Sequence, residues 1–183
     1  MDLRAEAKNI LEKKGLLQIL KKYGTPHPVG SYLCDLMAWE DLDISMENED
    51  ATPELLYQLT EDVNELLKPY HFEGRIIGKN KMFYSCETKL NGTRWNVDIW
   101  FRDREDIEET IGFCRKLQEK TKNDPAKRDA ILSIKRNLID RGLYGIDKDP
   151  HCHYHSGDIY NAVLEKNVDT VDKLMQSYPI HKD

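Results

Sequence analysis

The chain has 183 residues, 27 Lys and Arg against 33 Asp and Glu, and a net charge of −6 with histidine neutral. That length predicts a core that needs neither disulfide nor structural metal, and the acidic balance argues against double-stranded nucleic acid as a partner. No apolar run approaches the roughly 20 residues of a membrane span and the first residues lack the basic start and apolar stretch of a signal peptide, so a cytoplasmic protein without membrane contact is expected.

The first predicted element is an amphipathic helix over Asp2 to Tyr23, with Leu3, Ala7, Ile10, Leu11, Leu17 and Leu20 mostly at three- and four-residue steps, weakened by Gly15 and stopped by Gly24. Gly24-Thr25-Pro26 reads as a turn. Asp41 to Met46 alternates polar and apolar residues as a half-buried strand does. Thr52-Pro53-Glu54 supplies an N-cap, a proline at the first helical position and an early acid, which predicts a helix to about Leu67 with Leu55, Leu59, Val63 and Leu66 on its apolar face. Three strands follow, Phe72 to Ile77, Met82 to Leu90 and Thr93 to Phe101, the last two joined by the hairpin signal Asn91-Gly92. Asp103 with Asp106 opens a helix to about Lys120, Asp124-Pro125 opens another that Gly142 closes, and Ser156 and Asp169 are expected to cap two short ones. The expected fold is therefore α/β of the α+β kind: a short mixed, mainly antiparallel sheet flanked by helices, with a C-terminal helical segment. The polar stretch Thr121 to Asp124 is the boundary the composition offers, dividing a core of residues 1–121 from a segment of 122–183 that packs on it.

The chemistry is concentrated in one constellation. Gly30-Ser31 precedes Asp41-Leu42-Asp43 by nine residues, and a third carboxylate, Asp98, stands in Asn96-Val97-Asp98-Ile99-Trp100. Strand alternation turns Asp41 and Asp43 to one side and Leu42 and Ile44 to the other, and it groups Asn96, Asp98 and Trp100 opposite Trp95, Val97, Ile99 and Phe101. Carboxylates gathered in an acidic chain repel one another unless divalent cations bridge them, and oxygen ligands suit Mg²⁺ bound together with phosphates. Gly30 lets backbone approach a phosphate closely, and Ser31 adds a hydroxyl and an N–H.

At these residues the sequence resembles the nucleotidyltransferase superfamily, whose signature is Gly-Ser or Gly-Gly, a spacer of this order, Asp-x-Asp or Asp-x-Glu on a strand, and a later strand carboxylate. The likeness spans about Val29 to Phe101, and the small size resembles the single-chain antibiotic and small-molecule nucleotidyltransferases. It implies transfer of a nucleoside monophosphate from a nucleoside triphosphate to a hydroxyl of a small-molecule or protein acceptor, with release of pyrophosphate. It also implies two Mg²⁺ ions held by Asp41, Asp43 and Asp98, with Asp98 as the base, and nucleotide held at Gly30 and Ser31. Lys135, or Arg136 beside it, is the cation offered for the triphosphate.

The competing reading is an inactive module of the same fold, such as an antitoxin-like protein that binds a helical partner. A third, a metal-storage or sensing domain using His151-Cys152-His153-Tyr154-His155, ranks last, because that spacing suits a loop of neutral histidines better than a zinc finger. Cys34, Cys86, Cys114 and Cys152 are read as reduced thiols. Glu47 to Asp50 and Asp103 to Glu109 are read as solvated acids, Trp95 and Phe101 as core, and Trp39 as packing. The simpler alternative for Asp98 is an ion pair with Arg75 or Arg94.

Overall fold

The computed structural model describes residues 2–145 and 154–178, so His151 to His153 of the histidine run lie outside the described residues. The chain forms two compact units, Met1–Gln118 and Glu119–Asp183. The first is built on a five-stranded sheet of order β1-β2-β5-β4-β3. Its strands are β1 Thr25–Pro28, β2 Asp41–Glu47, β3 His71–Gly78, β4 Lys81–Leu90 and β5 Thr93–Arg102. All pairs are antiparallel except β2 with β5, which is parallel.

Alternation divides this sheet into two different faces. Leu42, Ile44 and Met46 of β2, Val97, Ile99 and Phe101 of β5, and Met82, Tyr84 and Cys86 of β4 are all buried on one side. They share a core with α4, Pro53–Leu67, which contributes Leu56, Leu59, Val63 and Leu67. Leu55 and Leu66, expected on that face, flank it and are only partly buried, because 3.6-residue periodicity brings Leu56 and Leu67 inward instead. Two buried hydroxyls tie the layers together: Tyr84 Oη donates to Asn64 Oδ1 at 2.6 Å, and Thr88 Oγ1 donates to the carbonyl of Leu67 at 2.5 Å. The latter satisfies a carbonyl in the last turn of α4, where no backbone donor follows.

The N-terminal helix is not continuous. It comprises α1, Leu3–Lys8, a π-helical turn, Asn9–Lys13, and α2, Leu16–Leu20, with Gly15 between them at φ +89°. A left-handed residue cannot propagate a right-handed helix, so Gly15 redirects the chain rather than merely weakening it. β1 falls where a turn was expected. It is an edge strand of Thr25-Pro26-His27-Pro28, and its prolines are tolerated because it pairs on one side only. The Asn91-Gly92 hairpin forms as expected, with φ of +51° and +87° at its two central residues.

α4 is capped by Thr52, whose Oγ1 accepts from the Leu55 N–H at 3.3 Å. Thr52→Ala is expected to cost about 1 kcal/mol in urea unfolding while Thr52→Ser costs little. A loss below about 0.3 kcal/mol would mean that packing alone holds this end of the helix.

α3, Gly30–Cys34, and most of α5, Arg104–Asn123, complete the first unit. The second contains α6, Pro125–Asp140, α7, Ser156–Lys166, and α8, Val171–Ser177. Asp124 caps α6 through the Lys127 N–H. The last two caps differ from expectation. His155 caps α7, its N–H donating to Asp158 Oδ2, while Ser156 Oγ lies 2.5 Å from the Tyr144 hydroxyl. Thr170 caps α8, while Asp169 pairs with Lys173 at 2.7 Å. In each case the residue that the sequence favoured as the cap bonds elsewhere and its neighbour takes the cap position. Among the described residues no helix is long and apolar enough to cross a membrane.

Candidate active site

The face of the sheet opposite the shared core carries the carboxylates. Parallel pairing of β2 with β5 sets Asp41 beside Asn96 and Asp43 beside Asp98. Antiparallel pairing of β4 with β5 sets Ser85 on the other side of Asp98. Residues paired across strands point to the same face, so Asp41, Asp43, Ser85, Asn96 and Asp98 converge.

Hydrogen bonds organise them. Asp98 is only 6% exposed, and its Oδ1 accepts from Ser85 Oγ at 2.6 Å and from Asn96 Nδ2 at 3.2 Å. Asn96 Nδ2 also donates to Asp41 Oδ1 at 2.8 Å, so one amide spans two of the three acids. Asp98 is thereby oriented by neutral donors, while Arg75 pairs with Glu73 and Arg94 with Glu87, both at 2.6 Å. Neither arginine is the partner that the simpler reading of Asp98 required.

Gly30 opens α3 at φ +58°, directly against Asp43. A Cβ there would overlap Asp43 Oδ2 and stand 2.9 Å from its Cγ. The Val29 N–H donates to the backbone carbonyl of Asp43 at 2.9 Å, which fixes the segment along the strand. Ser31 follows as the second residue of α3 and is half-buried. From the far side, Cys114 Sγ of α5 reaches the Gly30 carbonyl at 3.8 Å. A hydrogen bond from the Cys34 side chain lowers the Cys114 pKa, against burial and the Asp43 charge, which act to raise it. Cys34, Cys86 and Cys114 are all buried free thiols, as expected.

Beside Asn96 opens a cleft of about 430 Å³ lined by Trp39, Glu40, Glu87, Arg94 and Asn96. Trp39 is thus a wall of this cleft rather than core packing. Trp95 and Phe101 are core, each 1% exposed. Glu47 is not a solvated acid: it holds Arg104 at 2.6 Å and His27 at 3.3 Å, and the Arg104 hydrogen bond keeps its carboxyl below the usual range. Lys135 belongs to the C-terminal unit. It is buried there with its Nζ 3.5 Å from the Tyr160 hydroxyl and 5.7 Å from the centre of the Tyr144 ring.

Among the described residues no three acidic, histidine or cysteine side chains form a ready-made metal cage. Mg²⁺ does not need one, since it is commonly held by one or two carboxylates together with substrate phosphates and water. The oxygen donors of Asp43 and Asp98, adjacent in register, with Asp41 two residues along, fit that mode. Ser85 was not singled out from sequence, although counting back from the Asn91-Gly92 turn places it opposite Asp98.

Neither a protein-family model nor a curated protein matches the sequence. Solved structures do match in fold. They include the non-canonical poly(A) polymerase of the GLD-2 and GLD-3 complex, with a TM-score of 0.65 and 16% identity over 98% of this chain and 59% of that one. The Cid1 poly(U) polymerase bound to MgATP aligns with a TM-score of 0.58 and 16% identity, over 79% of this chain and 45% of that one. Terminal uridylyl transferase 4 from Trypanosoma brucei, with bound UPU, gives 0.57 and 15% over 89% and 54%. The chain thus spans about half the length of the structures it matches. At these identities the likeness is one of architecture: this chain has the mixed sheet with flanking helices of the nucleotidyltransferase fold.

Proposed function

We propose that the chain is a Mg²⁺-dependent nucleotidyltransferase that moves a nucleoside monophosphate from a nucleoside triphosphate to an acceptor hydroxyl. The observation that carries this reading is the register that sets Asp43 between Gly30 and Asp98. Asp41, Asp43 and Asp98 share one face of the sheet, and the Gly-Ser that opens α3 lies against Asp43, so the three parts of the signature meet. Asp41 and Asp43 hold the metal-bound triphosphate, and Gly30 lets the backbone come close to phosphate. Two Mg²⁺ ions would screen the triphosphate charge and stabilise the attacking and leaving oxygens of an in-line displacement. The acceptor oxygen bonds to the α-phosphorus, the bond to the bridging oxygen breaks, and pyrophosphate departs with that electron pair. Asp98 takes the acceptor's proton, held ready by Ser85 and Asn96. Lys135, offered from the sequence as the cation for the triphosphate, is 1% exposed within the C-terminal unit, and no phosphate role is proposed for it.

The acceptor expected from the sequence is a small molecule or a protein hydroxyl. The names of the structures similar in fold, a poly(A) polymerase, a poly(U) polymerase and a terminal uridylyl transferase, add a polynucleotide hydroxyl, and they lend no support to the expected exclusion of double-stranded nucleic acid. The test is pyrophosphate release from mixed nucleoside triphosphates and Mg²⁺ with each acceptor class offered separately. Release with one class identifies the acceptor. No release with any, despite nucleotide binding, would favour the inactive binding module.

The carboxylates are separable in this scheme. Asp98→Asn is expected to keep nucleotide affinity within about threefold while single-turnover transfer falls by about 10² to 10⁴-fold, the usual worth of a general base. Equal losses of affinity and rate would make Asp98 only a further metal ligand. No loss of either would remove it from the site.

A further inference from the structure

The two edges of the sheet are built differently. β1 has Pro26 and Pro28 within its four residues, so it lacks the amides that a further strand would need. β3 is eight residues long, contains no proline and is exposed along almost its whole length. Among the described residues no strand pairs with its outer side, yet it displays Phe72 and Ile76 at 50% and 54% exposure. Sheets seldom leave such an edge uncovered.

The order of residues along β3 identifies what covers it. Glu73 and Arg75 lie on one face, where they form an ion pair along the strand at 2.6 Å. Phe72, Gly74 and Ile76 lie on the other, in register with Cys86, Tyr84 and Met82 of β4. A second β3 laid antiparallel about a two-fold axis through Gly74 brings Glu73 opposite the other copy's Arg75, and Phe72 opposite the other copy's Ile76, twice each by symmetry. Moving the axis one residue either way sets Glu73 against Glu73 or Arg75 against Arg75.

Gly74 itself supplies a second and independent argument. It is not in the left-handed region, and a Cβ there would meet only Leu56 Cδ2 at an ordinary 3.8 Å. Among the described residues nothing calls for glycine at the middle of β3, and its bare Cα leaves room on that face where two copies would meet at the axis. The irregularity between Ile76 and Gly78 limits the complementary stretch to Phe72–Ile76.

We propose that β3 is a homodimer interface, at which a second copy of this chain adds its own β3 antiparallel about Gly74 and continues the sheet. The test is sedimentation equilibrium of the full chain over about 1 to 100 μM, the range in which association of modest affinity is visible. A dimer mass at the upper end is expected. Glu73→Arg sets arginine against Arg75 on both sides of the axis and should weaken association about tenfold or more. The exchange Glu73→Arg with Arg75→Glu recreates the opposite-charge pattern and should restore it. Gly74→Cys should yield a cross-linked dimer on mild oxidation, since directly opposed residues have Cα atoms about 4.5 to 5.5 Å apart. Circular dichroism and melting of each variant separate lost association from lost folding. A monomer at every concentration would leave this edge to a different protein and overturn the proposal, as would a dimer indifferent to Glu73→Arg or a Gly74→Cys chain that does not cross-link.

Discussion

Asp43→Asn is expected to lower the single-turnover rate of transfer by about 10³-fold or more, equivalent to roughly 4 kcal/mol of lost transition-state stabilisation. Asp43 links the parts of the constellation, beside Asp98 in register and against Gly30 at its carboxylate. The amide has nearly the same shape but lacks the charge that holds a hard cation. Folding should be spared. The hydrogen bond that ties Val29 to Asp43 uses the backbone carbonyl and survives the change. Removing one of two adjacent carboxylates also relieves their repulsion, so the melting temperature in chelator should be unchanged or higher than that of the parent chain. Near-normal turnover of this variant at saturating Mg²⁺ would dismiss the metal-clamp role. Asp41→Asn tests the same idea where Asn96 already donates to the carboxylate.

The second large effect is expected at Gly30, and its size comes from two causes that act together. The residue is left-handed at φ +58°, which costs a residue with a side chain about 1 to 2 kcal/mol. Its missing Cβ is also the space that the Asp43 carboxylate fills. Gly30→Val should therefore lower stability by about 1 to 3 kcal/mol in urea unfolding and weaken nucleotide binding by about tenfold or more in calorimetry. Gly30→Ala separates the causes. If only open room for phosphate mattered, alanine would behave almost as glycine; because the Cβ itself meets Asp43, alanine should show most of the loss. An alanine variant with unchanged affinity and stability would mean that Asp43 turns aside freely and that the cradle has no binding role.

Local signals were legible where physical chemistry acts over a few residues. Asn91-Gly92 dictated a hairpin because its two central positions need φ above zero, and the turn then set the register that brings Ser85 to Asp98. Alternation alone put Asp41 and Asp43 opposite Leu42 and Ile44, and the caps at Thr52 and Asp124 mark helix starts that the structure keeps. The same local reasoning failed where a distant or competing partner decided the outcome. Ser156 left its expected cap for Tyr144, and Glu47 was gathered in by Arg104 and His27. Trp39, which neighbouring residues could equally have buried, became a cleft wall, and Thr25-Pro26 became an edge strand because β2 offered a ladder on one side.

The sequence by itself determined the kinds of elements, the face on which each acid stands and the chemistry those acids can share, since periodicity and side-chain type are properties of neighbouring residues. Tertiary structure alone decided that β2 lies parallel to β5, because strand pairing depends on how the chain between Asp41 and Asn96, 55 positions apart, is routed through α4, β3 and β4. That pairing makes Asp43 and Asp98 neighbours, pairing of β1 with β2 closes Gly30 against Asp43, and pairing of β3 with β4 alone leaves β3 at the edge of the sheet.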